Sequence, residues 1–373
     1  MTTSIPFEEF QNMSALDQTA VLNALRAVKD PDLHKDIVSL GFVKGLTIDG
    51  GAVAFTIELT TPACPVKDAM RDQARAAVSR IAGVTSVDVT MTAQVRAAHN
   101  VGSAQAPIPG VKNIVAIGAG KGGVGKTTLA VNLAVALAKL GSRVGMIDGD
   151  IYGPNVPMML GIQGQLMAED EKILPAEKHG IKVVSMGFLT NDDAPVIWRG
   201  PMLHSVVKQF FHEVKWGELD YLIIDMPPGT GDVALSLSQT VPVAGAIVVT
   251  TPQEVSLADS RRAVRMYEKL NIPVLGIIEN MSYFVCPNCE HESDIFGRGG
   301  GERTAEAMNV PFLGRIPIYE PIRRGGDAGQ PLVIAEPDAP ATRAFMSAAE
   351  QLAAQVSIAS YRKPVIPVTE VAR

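Results

Sequence analysis

Residues 113–139 compress three signals into one short stretch. Asn113 to Gly118 is a nearly continuous apolar run, as a strand buried on both faces requires. Gly120-Lys121-Gly122-Gly123-Val124-Gly125-Lys126-Thr127-Thr128 follows, and Lys126 to Lys139 then carries a helical pattern. Glycines let backbone N–H groups converge on one point, and the start of a helix adds a favourable dipole there. G-x-x-x-x-G-K-T between a strand and a helix is therefore a phosphate-binding loop. Lys126 is placed to bridge the β- and γ-phosphates of a nucleotide, and Thr127 to hold magnesium through its hydroxyl. Such a loop sits at the carboxyl edge of an open α/β sheet, so the rest of the chain has to supply one.

It does so on both sides of this stretch. Buried-type runs at 142–147, 221–224, 246–250 and 274–278 alternate with helical stretches such as 126–139 and 257–270. That alternation predicts an α/β fold, a P-loop NTPase whose mostly parallel sheet is covered on both faces by helices. A last helix is expected over 339–356, and the tail 361–373, with Pro364 and Pro367, cannot continue it.

Upstream the order differs. Apolar residues at helical spacing over 17–28 stop at Asp30-Pro31, and two alternating runs, 45–48 and 52–57, flank Asp49-Gly50-Gly51 as a hairpin. A helix over 65–81 and a strand over 84–92 complete an α-β-β-α-β unit. Between 96 and 112 the composition turns to Ala, Gly, Ser and Pro. The expected organisation is a small α+β domain at 1–95, a flexible linker at 96–112, a P-loop ATPase domain at 113–360 and a tail at 361–373.

Composition limits the partners. The 373 residues suit two domains, and 47% hydrophobic against 19% charged residues excludes a disordered chain. A net charge of −6 gives no general attraction to nucleic acid or acidic lipid, so neither nucleic acid nor membrane is expected as a partner. Residues 1–10 carry no basic-then-apolar leader pattern, and no apolar run approaches the ~18 residues that cross a bilayer. The expected location is cytoplasmic.

Other residues group around the loop. Tyr221-Leu222-Ile223-Ile224 is an apolar strand ending in Asp225, which sets a carboxylate near the magnesium of the nucleotide. Val144 to Ile147 likewise delivers Asp148 and, two residues on, Asp150 to the ligand edge of the sheet. Asn280 follows the strand at 274–278, where a side-chain amide pairs with the donor and acceptor edge of a purine.

Three cysteines, Cys64, Cys286 and Cys289, are too few for a disulfide framework. Cys286-Pro287-Asn288-Cys289 holds two thiols at a spacing that binds one soft metal centre or closes a disulfide. Iron or zinc in sulfur coordination takes four ligands, and two copies of the chain would supply them across a two-fold axis. A shared [4Fe–4S] cluster, structural zinc and a redox disulfide are the alternatives, and the shared cluster is favoured because the resemblance given below also implies a dimer through Lys121. Cys64 precedes Pro65 at a helix start and reads either as an activated thiolate or as a small core residue.

The residues also carry a resemblance. K-G-G-V-G-K-T-T, D-G-D-I-Y-G-P-N (148–155), D-M-P-P-G-T-G-D (225–232), E-N-M-S (279–282) and C-P-N-C, spread over 111–333, resemble the Mrp/ApbC iron–sulfur cluster carrier ATPases of the MinD, ParA and nitrogenase iron protein superfamily. D-P-D-L-H-K-D-I-V-S-L-G (30–41) and T-T-P-A-C-P (60–65) are similar to the small domain fused to many bacterial members and found in other iron–sulfur assembly factors.

The resemblance implies an ATP-dependent homodimer that carries a labile bridging cluster to apo-protein targets, working beside other assembly factors. Lys121 then reaches the phosphates of the facing subunit. Asp150 positions the attacking water, Asp148 supports the metal shell, the Gly229 N–H senses the γ-phosphate, and Asn280 contacts the adenine. Two other roles use the same loop. A MinD- or ParA-like spatial organiser would need a C-terminal amphipathic helix or a basic surface. An electron-transfer ATPase like the nitrogenase iron protein would use widely separated single cysteines.

Overall fold

The computed structural model describes residues 16–97, 105–150, 153–188, 206, 208–229, 231–286, 288–289 and 291–361. The chain divides into two units after Val95.

In the first unit, α1 (Gln18–Leu25) is capped by Asp17, whose carboxylate accepts from the Ala20 N–H at 2.7 Å. The helix stops at Leu25 because the N–H groups of Ala27 and Val28 turn back to residues three earlier, tightening the end. Strands β1 (Val43–Asp49) and β2 (Ala52–Leu59) pair antiparallel around Gly50, which takes φ +58°. Val53, Phe55, Ile57 and Leu59 alternate inward along β2. Helix α2 (Lys67–Val78) covers them with Met70, Ala74 and Val78, spaced one turn apart. It is shorter than its pattern suggests, starting two residues after Pro65. Strand β3 (Ser86–Ala93) closes the sheet parallel to β2, in the order β1-β2-β3.

The second unit is built on an eight-stranded sheet. Its strands are β4 (Val111–Ala119), β5 (Val144–Asp148), β8 (Ala176–Lys178), β9 (Ile181–Ser185), β10 (Leu219–Asp225), β11 (Gly245–Thr250), β12 (Val274–Glu279) and β15 (Phe312–Arg315). Two-stranded pairs β6 (Ala168–Glu169) with β7 (Lys172–Ile173), and β13 (Phe284–Val285) with β14 (Glu292–Ser293), stand beside it. The order is β15-β12-β11-β4-β10-β5-β9-β8, every pair parallel except β8 with β9.

Strands β5, β10 and β11 are buried at every residue, which explains their unbroken apolar sequences. Helix α3 (Lys126–Lys139) packs against β4, β5 and β10, and the long α10 (Pro340–Tyr361) packs onto α3. Between them in sequence lie α4 (Val156–Leu160), α5 (Gly231–Thr240), α6 (Glu254–Lys269), α7 (Gly300–Ala307), α8 (Glu320–Asp327) and α9 (Leu332–Ala335). Helix α6 packs against β4, β11 and β12. No helix among the described residues is long and apolar enough to cross a membrane.

The chain enters this unit earlier than its composition suggests. Ile108 is buried in the core, and β4 begins at Val111. Within 105–110 only Ile108 is buried, while 98–104 and the tail beyond Tyr361 lie outside the described residues. Register aligns Asp225 of β10 with Asp148 of β5 and Ile117 of β4. From β4 the chain goes first to β5 on one side, and later to β11 on the other. That reversal opens a crevice at the carboxyl ends of the strands, where the loop 120–128 lies.

Candidate functional site

Backbone constraints build the phosphate loop. Gly125 caps α3 in the left-handed region, φ +80°, and Gly123 takes φ +78°. A Cβ at Gly125 would overlap Asn280 Nδ2, and one at Gly120 would overlap the Asp259 backbone, so both positions require glycine. The loop encloses a cavity of about 210 Å³ lined by residues 121–128, Asp150 and Pro228. Lys121 is half-buried in its wall. Lys121, Lys126, Thr127 and Asp150, four positions 29 residues or fewer apart in sequence, thus face one space.

Beneath the loop lies a charged cluster. Lys126 Nζ donates to Asp225 Oδ1 at 2.6 Å, and Thr127 Oγ1 donates to Asp225 Oδ2 at 2.7 Å. Asp225 is fully buried, and burial raises its pKa while Lys126 and Thr127 pull it down.

Asp148, expected to support the metal shell, is buried at the end of β5. Its Oδ1 accepts from the Asp150 N–H at 3.2 Å, while Oδ2 accepts from the Val156 N–H at 3.2 Å and the Ser185 hydroxyl at 2.9 Å. These bonds tie Asp148 to the backbone of Asp150 and Val156 and to the Ser185 side chain. Burial, then the charge of Asp225, pushes its pKa up to about 7. Asp150 accepts at Oδ1 from the Gly153 N–H at 3.3 Å and faces the cavity. Gly229, exposed with φ +75°, follows Asp225 on the loop expected to sense the γ-phosphate; Thr230 lies outside the described residues.

A second cavity of about 640 Å³ adjoins the first and shares Gly125, Thr127 and Thr128 with it. Met158, Met159, Ile295, Phe296, Tyr319 and Ile322 give it apolar walls, and Asn280 lies at its junction with the loop. Asn280 Nδ2 donates to the Val124 carbonyl at 2.8 Å, so this amide braces the phosphate loop as well as lining the larger space. A small polar compartment beside a large apolar one matches a triphosphate joined to a nucleoside.

The cysteine pair stands on the β13–β14 hairpin. The Cys286 N–H donates to the His291 carbonyl at 3.0 Å across the turn. Cys286 is half-buried and Cys289 exposed. Backbone N–H groups of Asn288 and Cys289, with the Cys289 thiol, point at the Cys286 sulfur and hold its pKa below the usual thiol value. Among the described residues no group of three or more His, Cys, Asp or Glu side chains is gathered as a metal site. Cys64 is buried in the first unit, the reading of it as a small core residue.

Residues 110–353 match the family model of the NUBPL iron-transfer P-loop NTPases. The chain belongs to that family. Residues 18–89 of this iron-transfer P-loop NTPase match a second model, that of iron-sulfur cluster assembly proteins. An iron-sulfur cluster carrier protein from Synechocystis is 49% identical over 351 residues, 92% of this chain and 99% of its own length. Another of that name, from Escherichia coli, is 44% identical over 77% of this chain and 78% of its own. Among solved structures, a nucleotide-binding protein from Archaeoglobus fulgidus in complex with ADP is 37% identical, with a TM-score of 0.56 over 64% of this chain and 93% of its own.

Two buried residues outside both cavity linings gave no role from spacing alone. Ser185 bonds Asp148 and accepts from the Gly187 N–H at 3.0 Å. Glu279, fully buried at the end of β12, accepts from the Ser282 hydroxyl and the Gly301 N–H. Its signals in the sequence are a charge ending the apolar run Val274 to Ile278 and its place at the head of the E-N-M-S motif.

Proposed function

We propose that this chain is an ATP-dependent iron–sulfur cluster carrier, working as a homodimer that hands its cluster to apo-protein targets. The observation that carries this reading is the position of the cysteine hairpin: residues before it (Asn280, Met281) and after it (Ile295, Phe296) form the wall of the nucleotide cavity. The names borne by the relatives from Synechocystis and Escherichia coli support it.

In this reading the backbone of 120–128 and Lys126 grip the phosphates, and Asn280 reads the adenine. Thr127 and Asp225 offer a hydroxyl and a carboxylate, hard oxygen donors that suit magnesium. Magnesium, when bound, neutralises charge on the β- and γ-phosphate oxygens. Asp150 orients the attacking water from its place beside the loop. Lys121 crosses to the facing subunit, where a cation stabilises the charge that develops on the transferred phosphoryl group. The cargo is a [4Fe–4S] cluster held by Cys286 and Cys289 of each copy, since four thiolates complete its coordination. Slow hydrolysis is coupled to loading or release, and the reducing cytoplasm keeps the thiols available.

Anaerobic reconstitution with iron and sulfide tests this, read by absorption and Mössbauer spectra together with mass in solution. Wild type should give a cluster chromophore on a dimer, and Cys286→Ala should lose both. An unchanged chromophore in the variant, or a cluster on a single copy, overturns the bridging arrangement.

A further inference from the structure

Glu279 and Asn280 are adjacent, yet their side chains serve opposite ends of the molecule's chemistry. Asn280 Nδ2 holds the Val124 carbonyl of the phosphate loop, and the Asn280 N–H donates to the Thr250 carbonyl at 2.8 Å. Glu279 turns instead into the protein and is fully buried. One of its oxygens takes the Ser282 hydroxyl, and the other takes the Gly301 N–H at the start of α7.

Those two partners are the roots of the cysteine hairpin. Outward from Ser282 the chain runs through β13 to Cys286, and from Cys289 it returns through β14, Ile295 and Phe296 to Gly301. A single carboxylate therefore closes an 18-residue excursion at its neck. A third tie fixes the outer edge of β13, where the Ile318 N–H donates to the Tyr283 carbonyl at 2.7 Å. Ile318, Ile295 and Phe296 all line the larger cavity. A molecule filling that cavity would touch the same limbs that Glu279 clamps.

Resting on the proposed nucleotide and cluster sites, we infer that Glu279 is a positioning residue that couples nucleotide binding to the geometry of Cys286 and Cys289. Both of its partners donate, so a carboxylate satisfies both at once, and an apolar replacement leaves a buried N–H without an acceptor. With Glu279 in place, a nucleotide against Phe296 moves the hairpin as one body. Without it, the neck of the hairpin is no longer held to Gly301, and the thiols no longer follow the pocket. Coupling of this kind depends on an element that both sites bias.

The test needs no cluster. The cluster-free full chain is alkylated anaerobically with iodoacetamide, with and without a non-hydrolysable ATP analogue, and the rate at each cysteine is read by mass spectrometry. In wild type the analogue should slow Cys286 and Cys289 by about fivefold or more, the lower end of usual allosteric coupling, and leave Cys64 unchanged. Glu279→Ala should bind the analogue within about threefold of wild type, under 1 kcal/mol, yet show equal rates with and without it. Glu279→Gln should keep the response, because its oxygen accepts from Gly301 while the Ser282 hydroxyl turns to accept from the amide. If Glu279→Ala does not fold, Ser282→Ala, which removes one of the two ties, should show a reduced response. A wild-type rate indifferent to nucleotide overturns the coupling, as does a full response in Glu279→Ala or in Ser282→Ala. Reconstitution of wild type reports on the carrier reading separately, so the two failures are distinguishable.

Discussion

Lys126 Nζ lies 2.6 Å from Asp225 Oδ1, and the carboxylate that receives it is fully buried. The residue expected to grip phosphate is thereby tied to the strand end expected to meet magnesium. Removing one partner of a buried pair leaves an uncompensated charge. Lys126→Ala should lose ATP binding and about 3 kcal/mol of stability. Calorimetric titration and urea denaturation check the two effects, and unchanged stability would place the pair in solvent.

Lys121 should behave differently. Lys121→Gln keeps the loop backbone, so ATP binding should stay within about threefold, while hydrolysis falls by roughly a hundredfold or more, as when a charge is withdrawn from a phosphoryl transition state. Steady-state phosphate release and nucleotide affinity measured on one preparation separate the terms. Equal loss of binding in Lys121→Gln and Lys126→Ala counts against a role across the dimer.

Asp148 gives the stability a pH dependence. Its pKa is raised from 3.8 to about 7, so between those values the folded protein holds a proton that the unfolded chain has released. Stability is then highest near the acid end of that window and falls by up to about 1.4 kcal/mol per unit as pH rises, levelling above about 7. Asp148→Asn should flatten this component, seen as the wild-type-minus-variant difference in denaturation free energy from pH 5 to 8. A difference independent of pH would contradict it.

Cys286 should be the reactive thiol. Two backbone N–H groups and the Cys289 thiol favour its thiolate, whereas Cys64 is buried. Alkylation of the cluster-free protein should modify Cys286 faster than Cys64, with a midpoint below pH 9. Cys289→Ala should raise that midpoint by removing one of the donors. A Cys64 rate equal to that of Cys286 would show the first unit to be open.

Asn280→Ala tests the double use of one amide. It removes the bond to the Val124 carbonyl and the group placed to read the purine. The KM for ATP should rise about tenfold, the cost of one buried hydrogen bond, and preference for ATP over GTP should shrink. Retained preference would move base reading elsewhere in the 640 Å³ cavity.

Much of this site is legible in the sequence. Gly120 to Thr128, the strand ahead of it and α3 over Lys126–Lys139 follow from local rules, because glycine spacing, apolar continuity and helical period act over neighbouring residues. The carboxylates at 148 and 225 were legible as strand ends, and C-P-N-C as a thiol pair.

What local pattern left open was the choice of partner over long separations. That Ser185 meets Asp148 depends on β9 pairing with β5, and β9 lies 33 residues beyond the end of β5. Only that packing brings the Ser185 hydroxyl to the Asp148 carboxylate. Likewise β15 had no distinctive run of its own, yet the chain just beyond it holds the cysteine hairpin through Ile318. Chain spacing determined the chemistry on offer, since a residue's type and its near neighbours travel together in sequence. Tertiary structure alone decided which buried donor each carboxylate received, because that is settled by which distant segments come to share a dry interior.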